Sequence, residues 1–266
     1  MPSIMAEGST PRRLPSADPR NGSDGGLRGR LAAGFLAELE GLTSLFPGSS
    51  GDLSAETVRG WPAYRGEECP VCGAFTGSGR LGVPLPSCAS CATLPPFDFA
   101  RSLFAYEGCV RNGIRAAKYA RHAVPVGALA ERLLEAIHGK WSDRFPAGFR
   151  PAVVPVPIRT FKYFQRGFNL PALVGHSLSR LAGWPFSPLV LRRTGGSRPQ
   201  AGMRRTDREE NVREAFDVPP GRRPPSEILL VDDVYTSGAT ARACSHALKT
   251  AGAGHIVVLT VARTVL

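Results

Sequence analysis

The chain has 266 residues, 42% of them hydrophobic, and a formal charge of +11 at pH 7. That length suits one large domain or a domain with an appendage, and the apolar share supports a core. No run approaches the ~18 apolar residues of a bilayer span. The polar stretch from 1 to 30 has no apolar h-region of a secretory signal, so a cytoplasmic location is expected.

Residues 1–27, rich in Gly, Pro, Ser and Asn, read as a disordered leader. The segment 28–66 reads as an amphipathic helix and linker. Leu31, Phe35, Leu39, Leu42 and Phe46 fall at helical spacing, Pro47-Gly48 stops the helix, and 48–66 is expected to be a loop or a poorly ordered insertion.

A cysteine module follows at 67–95. Cys69-Pro-Val-Cys72 and Cys88-Ala-Ser-Cys91 are two Cys-x-x-Cys knuckles separated by fifteen residues, a spacing that fits a structural zinc ribbon. Four sulfur ligands close a tetrahedral site against water, and the metal stands in for a core that so short a segment cannot build. A pair of disulfides is disfavoured in a cytosolic chain. A redox pair would need a thioredoxin-like strand–helix, which neither knuckle shows. Cys109 and Cys244 stand apart and are expected to be packed thiols.

The remainder, 96–266, alternates strands and helices. A strand ends near Phe104, helices are expected over 110–119, 126–138 and 170–181, and a strand over 152–156. A β–α–β unit follows at 228–231, 241–250 and 256–262, whose crossover implies parallel pairing. The fold class expected is α/β, a mostly parallel sheet with helices on both faces.

Three segments carry candidate chemistry. Arg159, Lys162 and Arg166 follow the strand at 152–156 and would face its carboxyl end, where cations can neutralise a pyrophosphate; a solvated loop is the competing reading. The stretch 192–213 is dense in arginine but interleaved with Asp207, Glu209 and Glu210. With Gln200 and a Gly202 hinge it suits a loop closing over a reacting centre, a salt-bridged surface, or a contact to nucleic acid phosphates. The most informative run is Ile228-Leu-Leu-Val231 followed by Asp232, Asp233, then Thr236-Ser237-Gly238-Ala239-Thr240 and a helix. The turn amides and the positive end of the helix dipole attract a phosphate, while the acids can accept from ribose hydroxyls or share a magnesium ion. An N-cap role would explain one acid, not two.

The last run resembles the phosphoribosyl pyrophosphate motif of type I phosphoribosyltransferases. With the cysteine module in front, the order of features resembles the ComF-type competence family. Val154-Pro-Val-Pro157, Arg166-Gly-Phe-Asn169, Gln200-Ala-Gly-Met203 and Tyr106-Glu-Gly108 with Lys118-Tyr119 carry the likeness. Leu170 stands where the family usually has glutamine, and the basic cluster after Pro157 is thinned. The resemblance implies a type I phosphoribosyltransferase-like fold and a role in DNA uptake for natural transformation. Phosphoribosyl pyrophosphate with magnesium would be the ligand, and single-stranded DNA and uptake-machinery proteins the partners. Asp232 and Asp233 would hold ribose, Thr236 to Thr240 the 5′-phosphate, and Arg159, Lys162, Arg166 and Gln200 the pyrophosphate and loop side. Whether the chain transfers the pentosyl group, as a salvage-type enzyme would, or only binds the ligand stays open at this point.

Overall fold

The computed structural model describes residues 54–75, 88, 91, 93–119, 125–145, 148–194 and 215–265. The leader, the helix expected over 31–46, and the basic stretch with Gln200 lie outside the described residues. All described residues fall within one compact unit, Leu39–Leu266.

Four strands form one all-parallel sheet: β1 (Phe99–Ala105), β2 (Ala152–Pro155), β5 (Glu227–Tyr235) and β6 (His255–Arg263), in the order β1–β6–β5–β2. Helices α2 (Gly108–Tyr119) and α3 (Val126–His138) follow β1, α4 (Thr160–Arg166) and α5 (Leu170–Ala182) follow β2, and α6 (Ala239–Thr250) joins β5 to β6. The central strands read as unbroken apolar runs because both faces are covered. Alternate residues divide between the faces. Val153 and Val231 lie under α5, which approaches closely because Gly175 presents no side chain there. Val154, Ile228, Leu230, Ile256 and Val258 share one buried cluster with Cys244 and Leu248 of α6 and with Cys69, Cys72 and Cys91.

Three expectations need correction. The strand expected to end at Val231 continues to Tyr235, because β6 extends alongside and supplies partners as far as Arg263. On the other side β2 stops opposite Val231, with Val156 N–H donating to the Val231 carbonyl at 2.8 Å. Asp232 and Asp233 therefore stand beyond the end of β2, at the rim, although they belong to β5. The loop expected over 48–66 contains a short helix, α1 (Ala55–Arg59), capped by the Ser54 hydroxyl accepting from Thr57 N–H at 3.0 Å. Just after it, Trp61 packs edge-on against Phe104, with ring centroids 5.5 Å apart. The expected packing of both lone cysteines holds for Cys244, but Cys109 is exposed near the start of α2.

The open side of β1 is occupied by the chain around the first knuckle. Ala100 N–H donates to the Val71 carbonyl at 2.8 Å, and Tyr64 N–H to the Leu103 carbonyl at 3.0 Å. Beyond β2, Val153 N–H donates to Pro185, and Ser187 N–H to Val153, at 2.8 and 2.9 Å. A small antiparallel pair, β3 (Arg192–Arg193) with β4 (Phe216–Asp217), flanks the basic stretch and packs on α6. Arg192 clamps Asp217 through two contacts of 2.7 Å.

Candidate functional site

An open cleft of about 850 Å³ lies at the carboxyl end of the sheet. It is lined by Asp232, Asp233, Thr236 and Thr240 of the β5–α6 segment and by Arg159, Lys162 and Arg166 of the segment after β2. The spacing of these three cations puts them on one side of α4. Arg159 is the N-cap of that helix, and Gly167 ends it in the left-handed conformation at φ +82°. Buried Phe168 then turns the chain inward, and the Asn169 side-chain amide donates to the Val156 carbonyl at 3.0 Å. The Arg166-Gly-Phe-Asn169 run is thus the joint that fixes α4 against the end of β2. A short helix carries these cations, in place of the solvated loop weighed for 159–166.

Between Thr236 and Thr240, Ser237 is exposed, Ala239 half-buried and Gly238 buried. Gly238 has φ +77° and is the N-cap of α6, which has no side-chain cap and no acid in its first turn. The leading amides of this twelve-residue helix therefore keep capacity for an anion.

Burial first, and the neighbouring Asp233 second, raise the Asp232 carboxyl from 3.8 to about 8, although the Asp233 amide, Lys118 and Arg193 work the other way. Asp233 N–H donates to Asp232 Oδ1 at 2.8 Å, and Lys118 Nζ lies 2.7 Å from Asp233 Oδ1. Burial and nearby Arg159 lower Arg193, which also lines the cleft. Lys118, Arg193 and Tyr106 are cleft residues to which the sequence reading gave no individual part. Lys118 sits in the last turn of an ordinary amphipathic helix, and only the short Lys-Tyr match pointed to it. Tyr235, between the acids and Thr236, is buried and does not line the cleft.

The four sulfurs of Cys69, Cys72, Cys88 and Cys91 lie within 4.8 Å of one another. A tetrahedral zinc with sulfurs at about 2.3 Å separates its ligands by roughly 3.8 Å, so the set fits that ion. Burial works to raise the Cys69 thiol, but backbone contacts from Cys72, Cys88 and Val71 bring it down to about 7. Burial and neighbouring thiols push Cys72 and Cys91 up. Bound as thiolates, the four sulfurs would need a cation between them. Among the described residues, no other group of three or more His, Cys, Asp or Glu side chains is placed to share a metal ion.

Fold and site together define an α/β protein with a charged cleft at the sheet rim and a four-cysteine cluster packed into the same core. No family model matches the chain. It is 32% identical over 114 residues to Competence protein F of Haemophilus influenzae, covering 42% of this chain and 50% of that protein. It is 26% identical over 200 residues to the DNA utilization protein YhgH of Salmonella typhi, covering 74% and 84% respectively. The chain thus spans half the length of the first of these relatives. A solved adenine phosphoribosyltransferase from Saccharomyces cerevisiae aligns with 49% of this chain and 68% of its own, at 15% identity and a TM-score of 0.31. The chain is thus similar to curated competence and DNA utilization proteins.

Proposed function

We propose that the cleft binds phosphoribosyl pyrophosphate with magnesium, in a ComF-type protein that serves DNA uptake and contacts single-stranded DNA. The observation that carries this reading is the cleft itself: two carboxylates and three cations line it together, beside a helix start with no side-chain cap. The Thr236 and Thr240 hydroxyls and the first amides of α6 take the 5′-phosphate. Asp232 and Asp233 accept from the ribose hydroxyls, and Arg159, Lys162 and Arg166 hold the pyrophosphate, to which a guanidinium can donate two parallel bonds. Adjacent carboxylates open to a cleft suit magnesium, which keeps several waters and binds one or two acids plus phosphate oxygens. When bound, the ion would screen the pyrophosphate charge.

In a transfer reaction the bond from the anomeric carbon to pyrophosphate breaks while an acceptor atom bonds to that carbon. The cations of α4 would stabilise the departing charge. Titration calorimetry with phosphoribosyl pyrophosphate and magnesium tests the binding. Heat should appear with the native chain and vanish when Asp232→Asn and Asp233→Asn are combined. Absence of heat, or heat unchanged in that variant, refutes the assignment. Pyrophosphate release with any acceptor marks a transferase, and binding without release marks a ligand-responsive module.

The single-stranded DNA part draws support from Phe161 and Phe164, which stand 76% and 78% exposed on the helix that carries the cleft cations. Exposed rings beside a basic track suit base stacking combined with phosphate neutralisation, worth about 1–3 kcal/mol per stacked base. Polarisation titrations of an oligonucleotide should show affinity falling steeply with salt, and Phe161→Ala with Phe164→Ala should weaken it at every salt concentration. A flat salt response would remove the DNA contact from the proposal.

A further inference from the structure

Arg263 closes β6 with 2% of its surface exposed, and no carboxylate pairs with it among the described residues. Its Nη1 donates to the Cys72 carbonyl at 2.8 Å, its guanidinium lies over the Tyr235 and Phe75 rings at 4.9 and 5.5 Å, and its buried Nε finds no acceptor. The other buried arginine near the knuckles, Arg101, reaches the Cys69 and Pro70 carbonyls at 3.5 and 3.3 Å but has Glu68 at 3.5 Å as counter-ion. A buried cation without a partner is costly. A divalent ion held by four thiolates is a dianionic centre, and its nearest backbone is what Arg263 grips.

Tyr235 completes the path. It belongs to the buried cluster that contains Cys69, Cys72 and Cys91. Its hydroxyl sits 2.2 Å from where a Cβ on Gly238 would be, so it lies against the turn that opens α6. Burial raises the Tyr235 hydroxyl, with Cys72, Arg242, Arg263 and Cys91 all close enough to act on it. One hydrogen bond, one cation–ring contact and one packed hydroxyl therefore run from the cysteine backbone to the anion turn.

We propose that Arg263 and Tyr235 are positioning residues that couple metal occupancy of the four-cysteine cluster to ligand binding at the Gly238 turn. Arg263 offsets the charge of the metal–thiolate centre and seats Tyr235, and Tyr235 sets the floor of the turn. Loss of the metal frees the knuckle, releases Arg263 and loosens the turn through one packed network rather than one shared ligand. The ligand half of this rests on the phosphoribosyl reading above; the metal half does not.

The test is equilibrium competition for zinc between the full-length protein and a chelator, with and without phosphoribosyl pyrophosphate and magnesium. Coupling is reciprocal, so the ligand should raise the apparent zinc affinity by about tenfold, and zinc should raise ligand affinity by the same factor. In Arg263→Met and in Tyr235→Phe that factor should fall towards one, with circular dichroism unchanged. A factor of one in the native chain that nevertheless binds the ligand, or a native-like factor in either variant, overturns the proposal. Should Arg263→Met not fold, Tyr235→Phe decides. Should the native chain bind no ligand, the phosphoribosyl reading fails by itself. Zinc affinity of Arg263→Met then judges the remaining half, with weaker zinc supporting it and equal zinc overturning it.

Discussion

Asp232 is where structure and chemistry press hardest on one side chain. A carboxyl raised to about 8 is mostly protonated at neutral pH, whereas the proposed magnesium-bearing ligand would require the anion. The sign follows: below that value binding must expel a proton, and affinity climbs as pH rises towards it. At about pH 7 calorimetry in buffers of different ionisation heat should report close to one proton released per ligand, and none above about pH 9. Asp232→Asn should abolish the release together with the binding. Because the ionised form is the disfavoured one in the unliganded fold, the same substitution should leave the empty protein no less stable at alkaline pH. Of this site, the acids and the hydroxyl-rich turn were legible because they are consecutive in the chain. Lys118 and Arg193 were not, since each reaches the cleft from a separate element and carries no local pattern.

At the scale of elements, the packing of α5 decides a prediction that helix propensity alone would get wrong. Leucine is favoured over glycine within a helix by up to about 1 kcal/mol. At Gly175, however, even a Cβ would stand 3.2 Å from the Val153 methyl and 3.7 Å from Val231. Gly175→Leu should therefore destabilise the fold by at least about 2 kcal/mol in urea unfolding, the overpacking term exceeding the propensity gain. The long elements were readable from the sequence because each repeats its apolar period several times: 126–138 and 170–181 agree closely with α3 and α5. The short ones were not. Helix α4 has no buried residue at all, so Phe161, Tyr163 and Phe164 gave no amphipathic signal, and β3 and β4 span two residues each. Their positions are set by tertiary partners: Asn169 on Val156 for the helix, and Arg192 on Asp217 for the strand pair.

For the molecule as a whole, the cysteine module belongs to the same hydrophobic cluster as the central strands. If the cluster holds zinc, stripping it should therefore lower the melting temperature of the entire α/β domain in calorimetry. A separate, earlier transition with the main one unmoved would show the knuckles to be an independent appendage. The sequence predicted the cluster from spacing alone, but nothing local revealed that β1 would run against it, because that contact joins Val71 to Ala100 across the intervening chain. The same contact has a further consequence. Exposed borders of a sheet present rows of bare amides and carbonyls on which copies of a chain can grow into fibres. Here one border is stitched by Val71 and Tyr64 and the other by Pro185 and Ser187. Along these two borders of the main sheet, the described residues therefore leave fewer bare groups on which a second copy could add strand to strand.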